Sequence, residues 1–305
     1  MIVDLPDTDT TAISKKLVRM RSSGGAVTLG RVLTLIIDVD AGEATEEAVE
    51  ASNRASREHP CRVIVVSRGN RTGDARLDAQ IRVGGDAGAS EVVLLTLSGQ
   101  LAEHPHAVVT PFLLPDTPVV TWWPDRAPKN PAQDRLGRLA SRRITDARKS
   151  ADPAAFLAER RAGYSPGDTD LAWSALTPTR ALFVSALDRP PHTPITGAEI
   201  TGPLDMPGLD LFAGWLAAAL QTRVVRRPGS LAARLFRSDS TLSMSVNDDG
   251  VSGTVASTGH PDGRVAYARR TTAECLAEEL RSLDADEVYE AALLGLPAVE
   301  VEESI

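Results

Sequence analysis

Cysteine is nearly absent from this chain of 305 residues: Cys61 and Cys275 stand far apart, and there is no third. Two thiols cannot build a disulfide framework, so the fold must rest on its own core, and a reducing compartment suits it. Aromatic residues are equally scarce, with four Trp, three Tyr and five Phe. No stretch reaches the roughly 18 consecutive apolar residues that a membrane span requires. The opening "MIVDLPDTDT" lacks the basic and then apolar segments of a secretory leader, so a cytoplasmic location is expected. Net charge is −8, which argues against nucleic acid or an anionic membrane as the main partner. Lysine is rare, only four of the 33 basic residues, and with abundant Ala this skew speaks of a GC-rich genome rather than of function.

What is present reads as two kinds of structure. Four β-branched runs, "RVLTLIIDV" (31–39), "RVIVVS" (62–67), "EVVLLTL" (91–97) and "PVVTWW" (118–123), are too continuous for a one-sided sheet. They predict parallel strands covered on both faces. A helix over "TAISKKLVRMRSSGG" is expected first, capped by Thr10 or Thr11, with Ile13, Leu17 and Met20 on one face and Gly24 at its end. Another, "ATEEAVEASNRASREHP", suits a right-handed crossover stopped by Pro60. "RLDAQIRVGG" (76–85) alternates with period two and predicts an edge strand with one wet face. A helix near 131–142 and a last strand at "RRITDA" complete the layer, and "AGYSPGDTD" (162–170) reads as a linker.

Beyond it the pattern changes. Thr177 is placed to cap a helix with Pro178 at its first turn. Strands at 195–202 and 223–227 flank a helix at 209–221, and turns at Asn247–Gly250 and Pro261–Gly263 predict hairpins. A closing helix is expected from Thr272, and "VEVEESI" reads as a frayed acidic tail. The expected fold is α/β. A doubly wound, mostly parallel, Rossmann-like sheet (1–165) is followed by an α+β domain with an antiparallel meander (166–305).

Catalytic chemistry is hard to find in these residues. A dinucleotide fingerprint needs G-x-G-x-x-G directly after the first strand; "DVDAGEATEE" offers one glycine among carboxylates that repel phosphate. "GGAVTLG" and "VGGDAGAS" are glycine-rich but precede strands. "SRGNRTGD" (67–74) is the better anion loop, with Arg68 and Arg71, and a sugar phosphate or a partner's carboxylate is the ligand it would take. His59/Cys61 and His104/His106 are interrupted by Pro60 and Pro105 and lack zinc spacing. No G-x-S-x-G elbow is present, and neither Cys is tied to a base. No cofactor and no metal are expected. Recognition residues stand out instead. At the carboxyl end of a parallel strand, where ligands are usually bound, lie adjacent Trp122 and Trp123, of which one is expected to emerge. Trp and Arg are the types enriched at interface hot spots.

"EHPCRVIVV", "QIRVGGDAGASEVV", "PFLLPDTPVVTWWP" and "YSPGDTDLAWSALTPTRALFVSALD" resemble the glucose-6-phosphate dehydrogenase assembly protein family, OpcA. The opening "MIVDLPDTDTTAISKKL" and the closing "RRTTAECLAEELRSLDADEVYEAAL" resemble its actinobacterial branch. The resemblance runs from Met1 to about Leu296. It implies a non-enzymatic effector that binds glucose-6-phosphate dehydrogenase and promotes its assembled, active form, feeding the oxidative pentose phosphate pathway and NADPH supply. Family patterns carry over to Arg62, Trp122, Trp123, Trp173 and Arg180. Ser174 and Ala175 stand where the family usually has Thr-Arg. Photosynthetic relatives are associated with redox control through cysteines, which two distant thiols do not support here. The expected partner contacts are therefore Arg62, Arg68, Arg71, Trp122, Trp123, Trp173 and Arg180, with Trp173 and Arg180 holding the domains in register. The alternative is a sugar-phosphate or nucleotide sensor or enzyme using the carboxyl edge of the first sheet.

Overall fold

Buried β-branched strands need neighbours on both edges and helices over both faces, and that requirement governs the first sheet. The computed structural model of the protein describes residues 1–23, 32–83, 91–188 and 192–302; "GGAVTLG" and nearly all of "VGGDAGAS" lie outside them. Its elements run β1 (Ile2–Leu5), α1 (Thr10–Ser23), β2 (Leu33–Asp40), α2 (Glu43–Ala55), β3 (Cys61–Arg68), β4 (Arg76–Val83) and β5 (Glu91–Ser98). Next come α3 (Pro105–Val109), β6 (Val119–Trp122), β7 (Arg142–Thr145), α4 (Pro153–Ala162), β8 (Asp168–Asp170), α5 (Leu171–Ser174) and α6 (Thr177–Leu187). The chain continues through β9 (Ile195–Thr201), α7 (Pro207–Leu220), β10 (Arg223–Arg227), β11 (Ala232–Arg237) and β12 (Thr241–Val246). It closes with β13 (Ser252–Ser257), β14 (Gly263–Ala266), α8 (Thr272–Arg281), α9 (Glu287–Gly295) and β15 (Val299–Val301). Two compact units result: Met1–Lys149 with Gly167–Thr169 and Thr272–Ala285, and Ser150–Pro166 with Asp170–Thr271 and Asp286–Ile305.

The first unit holds an eight-stranded sheet in the order β1-β4-β5-β3-β2-β6-β7-β8. β2, β3, β5, β6 and β7 run parallel, as their continuous apolar runs predict. β4 is antiparallel to β5 and alternates in burial, but it is not the edge. β1, hidden in the opening residues, pairs along it from Ile2↔Arg82 to Leu5↔Ala79. Ile13, Leu17 and Met20 of α1 are buried in the same core as Ile36, Ile64 and Val93. The helix is capped by Asp9 rather than a threonine, since its carboxylate accepts from the N–H groups of Thr11 and Ala12. On another side α8 packs on α2, and Arg142 of β7 ties it down through Glu279 (2.5 Å) and the Asp284 carbonyl.

Two expectations fail for local reasons. The helix near 131–142 is replaced by two 3₁₀ turns, Pro131–Gln133 and Gly137–Leu139. Asp134 accepts from the Leu136 N–H at 2.8 Å, an alternative to helical bonding that Asp favours. The segment 162–170 is not merely a linker: β8 joins the sheet, and Asp168 forms a buried ion pair with Arg143.

The second unit holds a seven-stranded sheet, β14-β13-β12-β11-β9-β10-β15. β9, β10 and β15 are parallel and the rest form the expected antiparallel meander. The presumed tail is thus partly a strand, with Val299 opposite Val224. Thr177 is inside α6 rather than at its N-cap position, which is Leu176; its hydroxyl accepts from Arg180 at 2.8 Å. One sheet face is covered by apolar residues of α6 and α7, with Phe183, Phe212 and Leu216 against Ile200, Val224 and Leu235. α7 and α9 touch backbone to backbone: a Cβ on Gly214 would stand 2.2 Å from the Ala292 carbonyl oxygen, and one on Gly295 2.2 Å from that of Gly214. The Asp249 carboxylate gathers the Ser252 hydroxyl, the Val251 and Ser252 N–H groups and Arg264 into the β12–β13 hairpin.

Gly214→Ala should force the two helices apart and cost about 1–3 kcal/mol, the usual range for overpacking, measured by urea unfolding. The Ser252 hydroxyl and neighbouring N–H groups lower the Asp249 pKa from 3.8 to about 2. Its protonation in the unfolded chain begins at higher pH, so its contribution is complete above about pH 4 and lost as pH falls towards 2. A carboxyl NMR titration should place the midpoint near 2, and Asp249→Asn should flatten that part of the stability–pH curve.

Candidate functional site

The strand order reverses direction at β2: β3 lies on one side of it and β6 on the other. In open α/β sheets ligands bind in the crevice outside the carboxyl ends of the strands at such a switch point. Three side chains meet there. Asp38 is the one carboxylate in the buried body of β2, Leu33–Val39. Arg68, the last residue of β3, donates to both its oxygens, Nε to Oδ1 at 2.8 Å and Nη2 to Oδ2 at 2.5 Å. Trp123, just past β6, adds its indole N–H to Oδ2 at 3.1 Å. The main chain of Trp123 is held by the Ile144 carbonyl; Gly137 lies beside its ring, where a Cβ would stand 1.8 Å from the Pro131 carbonyl oxygen and 3.2 Å from the ring.

Burial pushes the Asp38 carboxyl above its ordinary pKa, and the bonds from Arg68 pull the other way. With both oxygens engaged, Asp38 acts as a clamp across three strands. An open cleft of about 150 Å³ lies over it. Its charged lining is balanced: Asp38, Asp40 and Asp134 against Arg68, Arg71 and Arg126. Arg126 stands 3.5 Å from Asp40 and is 83% exposed. Arg71 is 55% exposed and 3.6 Å from Glu103.

The seven expected contact residues fall into separate places. Arg68, Arg71 and Trp123 line the cleft. Neither tryptophan of the pair emerges, for Trp122 and Trp123 are each 1% exposed, and Trp123 packs in the core with Ile36 and Leu136. Arg62 is buried at 5%, bonded to Glu91 at 2.9 Å and to the Phe112 carbonyl. It sits near the start of β3, six residues and about 20 Å from Arg68, and so is a structural ion pair. Trp173 is also buried and donates to Asp286 at 2.9 Å, with the Arg180 guanidinium 3.5 Å above its ring. Trp173, Arg180 and Asp286 all belong to the second unit, so this cation–π contact orders that unit internally.

The sequence reading missed Asp40, Arg126 and Asp134 as neighbours of Arg71, and gave Asp38 no role. The available signal was a single acid within "LTLIIDV". Among the described residues, no group of three or more His, Cys, Asp or Glu is arranged to hold a metal, and no helix is long and apolar enough to cross a membrane.

Fold and cleft together define an α/β protein with a Rossmann-like switch-point crevice, joined to a second, mostly antiparallel sheet. The chain belongs to the OpcA family of glucose-6-phosphate dehydrogenase assembly proteins. Residues 52–162 match the family's model described as "Glucose-6-phosphate dehydrogenase subunit N-terminal domain", and residues 166–293 match its "C-terminal domain" counterpart. No curated protein matches the chain. Among solved structures it is similar to one described as a glucose-6-phosphate 1-dehydrogenase from Mycobacterium avium, with 12% identity over 90% of this chain and 94% of that one, TM-score 0.44. A putative oxidoreductase from Magnetospirillum magnetotacticum follows, with 10% identity over 88% and 99%, TM-score 0.34. Such low TM-scores carry no functional argument.

Asp38→Asn should strand the Arg68 charge and destabilise the protein by about 3 kcal/mol, the low end for breaking a buried pair because Arg68 keeps some contact with water. Trp123→Phe removes one hydrogen bond and should cost about 1–2 kcal/mol. Chemical denaturation of both variants tests the order; equal, negligible losses would dismiss the clamp.

Proposed function

We propose that the protein is a non-catalytic effector that binds glucose-6-phosphate dehydrogenase and promotes its assembled, active state. The observation that carries this reading is the match, in chain order, to both domains of the family described as that enzyme's subunit. The clamp supports it, because the one buried carboxylate at the switch point is engaged on both oxygens rather than open to a reactant. A cytoplasmic location belongs to the same reading, in keeping with two buried thiols outside any disulfide.

An activator must bind the active form of its target better than the others; equal affinity shifts nothing. A tenfold population shift needs only about 1.4 kcal/mol of differential affinity, which an interface of roughly 800 Å² per partner readily supplies. Of the seven residues, Arg71 is well exposed, and Arg68 and Arg180 are partly so; these three remain the partner contacts we propose. The buried four act by holding the fold.

Purified protein added to glucose-6-phosphate dehydrogenase should raise the rate of NADP reduction and co-elute with the enzyme on sizing. Unchanged rate together with separate elution would overturn the proposal.

A further inference from the structure

The cleft at the switch point is given no ligand by the reading above, and its chemistry is specific. Its floor is the locked Asp38–Arg68–Trp123 cluster. Its rim carries two acceptors, Asp40 and Asp134, and two fork donors, Arg71 and Arg126. The rim arginines are held loosely, at 3.5 Å from Asp40 and 3.6 Å from Glu103, with side chains 83% and 55% exposed. Arg71 is presented on an ordered turn, where the Asn70 carboxamide oxygen accepts from the N–H and hydroxyl of Thr72 and the Gly99 N–H bonds the Asn70 carbonyl.

Each simple ligand class meets an obstacle here. A bare dianion would pair with the arginines but face the two carboxylates. A neutral sugar would satisfy the carboxylates with its hydroxyls and leave the guanidinium forks unused. A nucleobase needs an aromatic face, and Trp123 is 1% exposed with its N–H given to Asp38. A molecule with hydroxyls at one end and a phosphate at the other answers all four rim groups, because carboxylates accept from hydroxyls and arginine forks grip phosphate oxygens in pairs.

We infer that this cleft binds a small polyhydroxylated anion of the sugar-phosphate class between Arg71/Arg126 and Asp40/Asp134. The inference stands on the first unit alone and does not rest on the dehydrogenase reading.

The test uses the full chain without any partner, with glucose 6-phosphate, glucose and inorganic phosphate as probes in calorimetry and thermal shift. Glucose 6-phosphate should stabilise the protein in proportion to the logarithm of its concentration, with glucose and phosphate each binding at least about tenfold more weakly. Arg126→Ala and Arg71→Ala/Arg126→Ala, both at exposed positions, should keep the circular dichroism of the parent and lose about tenfold or more in affinity, as expected for charge-assisted bonds. Asp40→Asn should weaken glucose 6-phosphate while strengthening bare phosphate. The inference is overturned if glucose 6-phosphate gives no shift, if phosphate alone matches it, or if the variants bind as the parent does. Because no dehydrogenase is present, such a failure is separable from a failure of the proposed function.

Discussion

The hydrogen-bonded contact of Asp38 with Arg68 and Trp123 is the constraint on which the first unit depends. It joins the carboxyl ends of β2, β3 and the segment after β6, strands that enter the sheet from different stretches of sequence. A carboxylate in a buried strand is costly unless its oxygens are answered, and here a guanidinium fork and an indole N–H answer them. The same bonds that make the acid tolerable fix the floor of the cleft and set where Arg71 and Arg126 stand above it. The switch-point crevice is therefore shaped by electrostatics at its base and by loosely held charge at its rim.

Much of this was legible in the sequence, and the reasons for the gaps are physical. β2, β3, β5 and β6 announced themselves because a strand buried on both faces must be apolar without interruption. β1 did not, since Ile2–Leu5 is short and half-exposed, and its identity comes from pairing with β4 more than seventy residues on. β15 was hidden in the same way: three residues in an acidic context become a strand only because β10 lies beside them. The turns at 131–139 deceived because their composition is helical while Asp134 bonds the following N–H groups locally.

The site was half legible. That something at the end of β6 matters followed from the general placement of ligands in parallel sheets, and Trp123 does line the cleft. What it touches could not be read, for Asp38 lies 85 residues earlier. Trp122 and Trp173 drew notice by residue type and Arg62 through the family pattern, yet neither ground distinguishes an interface anchor from a packed core. Burial decides it, and burial is a property of the assembled sheet. The second unit shows the same lesson at Gly214 and Gly295, where the absence of side chains lets two helices meet.

The division of the chain bears on how the protein comes into being. α8, which packs on α2 and is tied to β7 through Arg142 and Glu279, is encoded after the meander β9–β14. During synthesis the early sheet must wait with one flank uncovered while more than a hundred further residues are made. An unfinished flank is where nascent chains aggregate or recruit chaperones, so the ribosome's pace through residues 150–281 sets how long this molecule stays vulnerable.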